Sequence, residues 1–417
     1  MKDWEVKKLC EICQINPSKA EARKKLSATD LVSFIPMSNL GIQSKAIPLS
    51  KNKLLSEVVG SYTYFANNDV LLAKITPCFE NGKIGIARDL TNGIGFGSSE
   101  YIVFRSIGII EPEYLFYFLS QNSFRNSGAR LMTGAVGHKR VAKDFIENHP
   151  ILVPPLSEQK RIVSIVDEAF EAIDIAIDNT KQNLTNARKL FDSYLNVIFT
   201  QKGDGWEETN LSRICDVRDG THDSPTYVDN GIAFITQKNI REDGLTFDNV
   251  KFISDDDHKK FYTRSNVAFG DILISMIGAN RGMTCVVDDK RTFSIKNVGL
   301  IKSSKNIDKY FLLYFLKSNK AQAYIESVSR GGAQAFVGLG KLREFPVSIA
   351  PQNQQANIVR ELDELYSETQ RLKTIYQQKL TALNELKQSI LHKAFTGELT
   401  ADKPDVMTNI DREAIAV

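Results

Sequence analysis

The sequence lacks the features of membrane and secreted proteins. No apolar run in its 417 residues approaches the roughly 18 residues that a membrane span needs. Residues 1–5 contain no apolar core of the kind found in a signal peptide. The five cysteines are few and odd in number, which does not suit a disulfide framework. We therefore expect a soluble protein of the reducing cytoplasm.

Signatures of catalysis are also missing. The chain has no Gly-x4-Gly-Lys-Ser/Thr loop for nucleotide phosphates and no Asn-Pro-Pro-Tyr methyltransferase tetrad. Cys10 and Cys13 have the spacing of half a zinc site, but no second pair follows them. The five histidines are scattered along the sequence. We expect no catalytic residue, no metal ligand and no cofactor-binding site in this chain.

Neither sign of charge is in large excess, which excludes a uniformly basic surface. Lys and Arg number 53, Asp and Glu number 50, and the net charge is +3. Residues 1–150 sum to about +5 and residues 201–350 to about +2, whereas residues 151–200 and 351–417 each sum to about −2. A local basic surface is typical of phosphate binding. The two basic segments are therefore candidates for contact with a nucleic acid.

What the sequence does contain is an internal duplication. Six blocks recur in the same order about 200 residues later; they start at Trp4 and Trp206, Phe34 and Phe234, Asp69 and Asp271, Tyr117 and Tyr314, Pro150 and Pro346, and Phe199 and Phe395. This period is far longer than the roughly 20–45 residues of a solenoid repeat. The sequence therefore predicts two copies of a whole domain followed by a helix.

Each copy starts with a mixed part and ends with a helical part. Short β-type runs broken by turn residues, together with an aromatic segment typical of a core helix, predict an α/β (mixed α+β) domain. We assign the two mixed domains to residues 1–153 and 203–349 and the two long helices to residues 154–202 and 350–400, followed by a tail at 401–417.

Both helical parts start after proline. Ser157 and Asn353 follow these prolines and are the predicted N-caps, because their side chains can accept free amide protons of the first turn. The first helix then runs without proline or glycine to Thr200, and the second runs to Thr396 and stops at Gly397. At 1.5 Å per residue each helix would be roughly 65 Å long.

An apolar seam with alternating steps of three and four residues runs along each helix, which is the heptad pattern of a coiled coil. The predicted seam and partner-interface residues are Phe170, Ile173, Ile177, Leu184, Phe191 and Tyr194 in the first helix, and Leu362, Tyr366, Leu372, Tyr376, Leu380, Leu383 and Ile390 in the second. Because a domain separates the helices, we predict an antiparallel coiled coil within the chain. The alternative is that each helix packs on its own domain.

Polar, glycine-rich loops are the candidate DNA-binding segments. Arg and Lys can bind guanine edges, Asn and Gln can bind adenine edges, and glycine lets the backbone approach a groove. The candidates are Lys74, Asn81, Lys83, Arg130, Thr133, His138, Lys139 and Arg140 in the first copy, and Thr221, His222, Lys238, Asn280, Arg281, Arg330, Gln334, Lys341 and Arg343 in the second. The alternative is that these are ordinary surface loops. The copies differ most at these polar positions, as readers of two different sequences would, although simple loop drift would look the same.

Several strings resemble those of specificity subunits of Type I restriction-modification systems. They are Pro-Pro-Leu-Ser-Glu-Gln at 154–159, Ala-Phe-Thr-Gly-Glu-Leu at 394–399 and Asp-Gly-Thr-His at 219–222, together with the tryptophan that opens each copy. The resemblance covers about residues 1–400. The first copy departs from it with Asn-Pro-Ser-Lys-Ala at 16–20 in place of Asp-Gly-Thr-His.

The resemblance implies that each domain reads one half of a bipartite, asymmetric double-stranded DNA site. It implies that the helices set the unread spacer and dock two adenine-methylating modification subunits, which two motor-nuclease restriction subunits can join. S-adenosylmethionine, ATP and Mg²⁺ would then be used by the partners, and this chain would not be an enzyme. Two other hypotheses are a coiled-coil scaffold without DNA binding and an enzyme with an unrecognised active site.

Overall fold

The computed structural model describes residues 4–49, 51–329 and 335–401. It divides into two compact units. The first unit comprises the chain up to Thr180 together with the chain from Gln378 onward, and the second unit comprises the chain from Lys181 to Gln377. Each unit therefore contains one globular domain and one part of each long helix.

The globular domain of the first unit is a mixed α/β structure, with ten strands and six short α-helices within the described residues. The strands are β1 (Glu5–Lys8), β2 (Cys13–Ile15), β3 (Leu31–Ile35), β4 (Asn52–Leu54), β5 (Thr63–Ala66), β6 (Val70–Ala73), β7 (Ile84–Ile86), β8 (Ile94–Gly97), β9 (Tyr101–Ser106) and β10 (Pro150–Val153). The helices are α1 (Leu9–Ile12), α2 (Ala20–Lys25), α3 (Leu55–Val58), α4 (Pro112–Leu119), α5 (Asn122–Arg130) and α6 (Lys143–Asn148).

Two four-stranded sheets and one strand pair form this domain. The central sheet has the order β2-β9-β6-β7 and is antiparallel throughout. The second sheet has the order β4-β3-β8-β5, with β3 and β8 parallel. The antiparallel pair β1-β10 brings the start of the domain to its end.

The middle strand β6 explains why the domain has two layers of core. All four of its side chains are buried, and they alternate between two clusters. Val70 and Leu72 pack with the aromatic residues of α4, whereas Leu71 and Ala73 pack against Ile35 of the second sheet. Side chains of a strand point alternately to its two faces, so an unbroken apolar run requires cover on both faces of the sheet.

The domain of the second unit repeats this plan. Within the described residues its strands are β11 (Glu207–Asn210), β12 (Val217–Asp219), β13 (Tyr227–Val228), β14 (Ile232–Ile235), β15 (Ile240–Arg241), β16 (Gly244–Leu245), β17 (Lys251–Ile253), β18 (Ile272–Ser275), β19 (Thr284–Val286), β20 (Phe293–Ile295), β21 (Val298–Ile301) and β22 (Pro346–Ile349). Between α6 and this domain lies one long helix, α7 (Leu156–Gln201), and the helices that follow are α8 (Leu211–Ile214), α9 (Asp255–Ser265), α10 (Lys309–Lys317), α11 (Asn319–Val328), α12 (Leu339–Arg343) and α13 (Gln352–Thr396).

The sheets confirm the duplication. The central sheet β12-β21-β18-β19 has the strand order and antiparallel pairing of β2-β9-β6-β7, and the pair β11-β22 corresponds to β1-β10. The parallel pair β14-β20 corresponds to β3-β8. The edges of the second sheets differ, since β17 and β13 extend the second domain where β4 and β5 flank the first. The predicted mixed α/β fold in tandem is therefore confirmed.

The two long helices are also confirmed, but their predicted caps are wrong. Helix α7 has 46 residues and begins at Leu156, so Ser157 lies inside its first turn. The carbonyl of Pro155 accepts hydrogen bonds from the backbone N–H groups of Glu158 and Gln159 (2.9 and 3.0 Å), and Pro351 serves α13 in the same way. A proline can stand at this position because only its carbonyl is needed there. At the other end, Gly397 has φ 81°, as expected of a helix-terminating glycine.

In the first unit the two helix segments run antiparallel. Glu158 near the start of α7 bonds to Thr400 just beyond α13, and Asp174, further along α7, pairs with Lys387, which lies earlier in α13. The apolar side chains of both segments join the domain core beneath α4. Phe395 packs on Tyr114 of α4, with ring centroids 4.7 Å apart.

The second unit shows the same arrangement. Phe191 of α7 packs on Tyr366 of α13 at 5.3 Å between ring centroids, and the hydroxyl of Tyr194 donates to Glu361 at 3.1 Å. Phe199, the counterpart of Phe395, packs on Phe311 of α10 at 5.3 Å. Burial of such a side chain contributes about 1.5–3 kcal/mol. In each unit the helix segments thus pack both on each other, as in the predicted antiparallel coiled coil, and on the globular domain, as in the alternative prediction.

The predicted seam follows this packing except near the end of α7. Tyr194 is 38% exposed, whereas Leu195 and Phe199 are buried. The spacing of buried residues from Phe191 to Phe199 is two steps of four, so the apolar stripe turns away from a strict heptad as the helix meets the second domain. Ile173, Ile177, Phe191 and Leu362 are buried, and the other seam positions are half-buried: Phe170, Leu184, Tyr366, Leu372, Tyr376, Leu380, Leu383 and Ile390.

Candidate nucleic-acid interface

Two polar loops meet at one end of the central sheet in the first domain. We call the segment after β6 (residues 74–83) the strand loop and the segment between α5 and α6 (residues 131–142) the helix loop. The backbone N–H of Thr76 donates to the carbonyl of Lys139, and the N–H of Val141 donates to the carbonyl of Lys74, both at 2.9 Å. The structure therefore joins two candidate segments that lie more than 50 residues apart in the sequence.

The second domain contains the same junction. Its strand loop (residues 276–283) follows β18, and the described residues 335–338, which lie just before α12, form the counterpart of the helix loop. The N–H of Gly278 donates to the carbonyl of Ala335 at 3.3 Å, and the N–H of Val337 donates to the carbonyl of Met276 at 2.9 Å. These two bonds have the same pattern in both domains and join backbone atoms, so the side chains of the two junctions can differ while the pair of bonds is kept.

The first-domain candidates fall into two groups. Arg130, Thr133, His138 and Lys139 are exposed around the helix loop, as is Asn81 on the strand loop, and Lys74 is half-buried beside them. Two other candidates are engaged within the protein.

Lys83 is one of the engaged residues, because its ammonium donates to the carbonyl of Met37 at 2.9 Å. Arg140 is the other, with two guanidinium bonds to the carboxylate of Glu100 at 2.7 and 2.9 Å. The Arg140 guanidinium also holds the pKa of Glu100 below its ordinary value. Arg140 therefore anchors the end of the helix loop.

The second-domain candidates are more often tied into the structure. The guanidinium of Arg281 is largely buried, pairs with Glu326 and donates to the carbonyls of Gly278 and Ala335 at 3.3 and 3.4 Å. It therefore fastens the strand loop to the helix loop. Asn280 next to it is exposed.

The remaining candidates of this domain lie around the same loops or on a separate turn. Lys341 pairs with Glu344 at 2.8 Å, and Arg343 donates to the carbonyl of Val217 at 3.1 Å. Lys238 is exposed in a 3₁₀ turn. Two predicted residues lie outside the described part of the chain, namely Arg330 and Gln334.

The Asp-Gly-Thr-His string forms a hydrogen-bonded turn at the end of β12. Thr221 is buried, and His222 lies between the carboxylate of Asp219 at 3.0 Å and the side-chain oxygen of Asn297 at 2.7 Å. Arg264 pairs with the same Asp219 at 2.7 Å. The string therefore holds the turn together, while the side chain of His222 stays 57% exposed.

The sequence reasoning missed Val136, which is fully exposed at the tip of the first helix loop. The signal that could have found it is the pair of glycines, Gly134 and Gly137, that frames the tip. Both have positive φ, at 126° and 81°. A Cβ at position 134 would also lie 3.0 Å from the carbonyl oxygen of His138, so the tight turn needs glycine there.

Comparison with solved structures defines the class of fold. A chain from "Structural basis underlying complex assembly and conformational transition of the type I R-M system" matches with a TM-score of 0.78, covering 95% of this chain and 98% of the other at 21% identity. The HsdS subunit from Thermoanaerobacter tengcongensis matches with a TM-score of 0.63, 95% and 97% coverage and 22% identity. The fold is thus that of two tandem α/β domains joined by long helices.

The family follows from the sequence match. The family model described as Type I restriction modification DNA specificity domain matches twice, at residues 1–186 and 203–382, which is most of the chain. The protein belongs to this family and carries its domain in duplicate.

The relatives that match this chain in sequence are specificity subunits of Type I restriction enzymes. The chain is 36% identical over 199 residues to the Type I restriction enzyme EcoAI specificity subunit and 35% identical over 196 residues to that of EcoEI, both from Escherichia coli. These matches cover about half of this chain (47% and 46%) and about a third of each relative (33% and 32%). A match to the EcoKI specificity subunit of Escherichia coli (strain K12) is 22% identical and spans 72% of this chain and 70% of the relative.

Within the described residues, no helix is both long enough and apolar enough to span a membrane.

Proposed function

We propose that this chain is the DNA sequence-recognition subunit of a Type I restriction-modification complex. Each globular domain reads one half of a bipartite, asymmetric double-stranded DNA site. The family match over both halves of the chain supports this function, because the matched domain is described by DNA specificity and occurs twice. The domains are not identical in sequence, so the two half-sites differ.

The observation that carries the proposal is the repeated junction of strand loop and helix loop. Identical backbone bonds anchor both junctions, whereas the exposed side chains differ. The first junction displays Arg130, His138 and Lys139, and the second displays Asn280. A constant scaffold with variable polar side chains is suited to reading different base sequences, since specificity depends on donors and acceptors at the base edges.

The long helices supply the second part of the function. A stiff helix pair of fixed length converts the number of residues into a distance between half-sites, as dimer geometry does in other DNA-binding proteins. The same helices dock two adenine-methyltransferase subunits, and two motor-nuclease subunits can join the complex. Methyl transfer with S-adenosylmethionine and ATP- and Mg²⁺-dependent cleavage take place in those partners, so this chain contributes recognition and not catalysis.

The experiment that tests the proposal is coexpression of this chain with its modification subunit in a strain without other adenine methylation. Genome-wide mapping of N6-methyladenine should then reveal one bipartite motif with two unlike halves and a constant spacer. Methylation without a defined motif would contradict the proposal, and so would a single continuous motif.

A binding assay separates DNA recognition from a purely scaffolding role. The complex should bind a duplex carrying the mapped site, and its affinity should fall steeply as salt rises, because phosphate contacts release counterions. The doubly substituted chain Arg130→Ala, Lys139→Ala should bind more weakly and with a shallower salt dependence. Lys24→Ala, Lys25→Ala, at two exposed positions of α2 in the same unit, is the matched control for loss of two positive charges. If the loop variant retained the salt dependence of the unmodified complex, the first junction would not contact DNA.

A further inference from the structure

The tip of the first helix loop presents an apolar side chain to solvent. Val136 is 93% exposed, the highest value for a large hydrophobic residue in the described part of the chain. A single exposed valine is common on protein surfaces and needs no explanation by itself. Here the conformation of the loop and the charges around it indicate a functional role for the exposed side chain.

The base of the loop is fixed by paired backbone bonds. The N–H of Thr133 donates to the carbonyl of Arg140 at 3.0 Å, and the N–H of Arg140 donates back to Thr133 at 2.8 Å. The Arg140 side chain is held in turn by Glu100. The tip is therefore carried on a short hairpin that is attached to the central sheet.

The tip itself is a tight turn. The N–H of His138 donates to the carbonyl of Ala135 at 2.9 Å, and Gly137 has φ 81°. These are the features of a type II turn with Val136 at its second position and glycine at its third. Val136 therefore points outward from a defined backbone, and its β-branched side chain has little rotational freedom.

The charges around the tip favour a polyanion. No Asp or Glu occurs between Arg130 and Lys143 in the sequence, and the carboxylate that the structure brings to this loop, Glu100, is paired with Arg140. Arg130 and Lys139 are exposed and form no ion pair with the described residues. Phosphates on either side of a DNA groove would meet these cations while the apolar tip entered the groove between them.

We propose that Val136 is a specificity-determining residue that contacts the 5-methyl group of a thymine in the half-site read by the first domain. This inference rests on the proposed function. Valine has no hydrogen-bonding atoms in its side chain, and the apolar group that a base edge offers in the major groove is the thymine methyl. Side chains that wedge between base pairs are generally larger, such as phenylalanine, leucine or methionine.

The test measures binding of the complex of this chain with its modification subunit to duplexes of the mapped site. Each thymine of the first-domain half-site is replaced singly by deoxyuridine, which removes only the methyl group. One replacement should weaken binding about fourfold, the effect of exposing one buried methyl group. The variant Val136→Ser should bind the thymine duplex about fourfold more weakly and should bind thymine and uracil duplexes equally.

The matched control is Val6→Ser, because Val6 is also exposed in the first unit but lies on β1. This variant should keep the preference for thymine. The inference is overturned if Val136→Ser keeps that preference, or if it weakens binding to every duplex equally. If the unmodified complex binds the site but no thymine-to-deoxyuridine replacement in this half-site weakens binding, the role of Val136 is refuted and the proposed function still stands. If the complex does not bind the site at all, the proposed function fails with it.

Discussion

The side-chain oxygen of Gln159 accepts a hydrogen bond from the backbone N–H of Glu111 at 2.8 Å, and Gln355 makes the same bond with Asp308 at 2.7 Å. Both glutamines are buried in the first turn of a long helix. Each also donates to the backbone carbonyl that precedes its helix, Pro154 in one case and Ala350 in the other, at 2.8 Å. A single side chain in each unit thus joins the helix to the segment that begins the aromatic core helix.

These hydrogen bonds predict that removal of the Gln159 side-chain amide strongly destabilises the folded protein. Gln159→Leu should lower the free energy of unfolding by about 2–4 kcal/mol, because it leaves the N–H of Glu111 and a backbone carbonyl buried without partners. The measurement is urea unfolding followed by tryptophan fluorescence. The control is Gln182→Leu, an exposed position of the same helix, which should change stability by less than about 0.5 kcal/mol. Equal effects of the two substitutions would contradict the bridging role.

The helix lengths predict the spacer of the recognised site. Deletion of four residues from each long helix removes about 6 Å of helix, which corresponds to about two base pairs. Methylation mapping of the shortened protein should therefore show both half-sites unchanged and the spacer altered. A control that deletes four residues from the tail after 401 should leave the spacer as it was. An unchanged spacer in the shortened protein would refute the ruler function of the helices.

The separate domains predict that the half-sites can be exchanged one at a time. Replacement of residues 1–153 with the corresponding domain of another family member should change one half of the methylated motif. The reciprocal replacement of residues 203–349 should change the other half. Because each domain has its own sheets and core, neither exchange should alter the second half-site. Simultaneous change of both halves would show that the domains do not read DNA independently.

His149 predicts an acid-sensitive first unit. Its imidazole packs against Phe118, Phe124 and Phe145, with ring centroids 5.8, 4.9 and 4.8 Å apart, and burial holds its pKa below the ordinary value of 6.5. The unfolded chain therefore binds a proton more readily than the folded chain. The free energy of unfolding is therefore not reduced by this histidine above pH 6.5. It declines as the pH falls below 6.5 toward the lower pKa of His149 in the folded chain, because protonation then favours the unfolded chain.

The measurement for this prediction is the thermal midpoint between pH 5 and pH 8. The unmodified protein should lose stability at the acid end, and His149→Leu should lose less because the residue cannot titrate. His138→Ala is the control, since His138 is exposed on the helix loop and its removal should leave the acid sensitivity intact. The same pH dependence in His149→Leu would assign the sensitivity to other groups.

The duplication, the mixed α/β fold and the two long helices could all be predicted from the sequence, because each depends on a pattern that is local along the chain. The apolar run from Val70 to Ala73 specifies a strand covered on both faces, and the heptad spacing around Ile173 and Ile177 specifies a helix with one buried stripe. The wrong cap at Ser157 and the exposed Tyr194 show the limit of this reasoning. Both depend on where a helix meets its domain.

The candidate site could be predicted only as a set of loops. Polarity and glycine content made Lys139 and Arg281 equally good candidates for DNA contact. In the structure Lys139 is exposed, whereas the guanidinium of Arg281 is largely buried between two loops. No local pattern distinguishes these outcomes, since the partner of Arg281, Glu326, lies 45 residues away in the sequence.

The sequence by itself determined that the chain consists of two similar halves, each a sheet-forming segment followed by a long amphipathic helix. These properties follow from periodicity and from proline and glycine positions. Only the tertiary structure decided which end of each helix joins which domain. Phe395, at the end of the second helix, packs on Tyr114 of the first domain, and Phe199, at the end of the first helix, packs on Phe311 of the second. The physical reason is that burial of an aromatic side chain depends on partners brought together by folding and not on neighbours in the sequence.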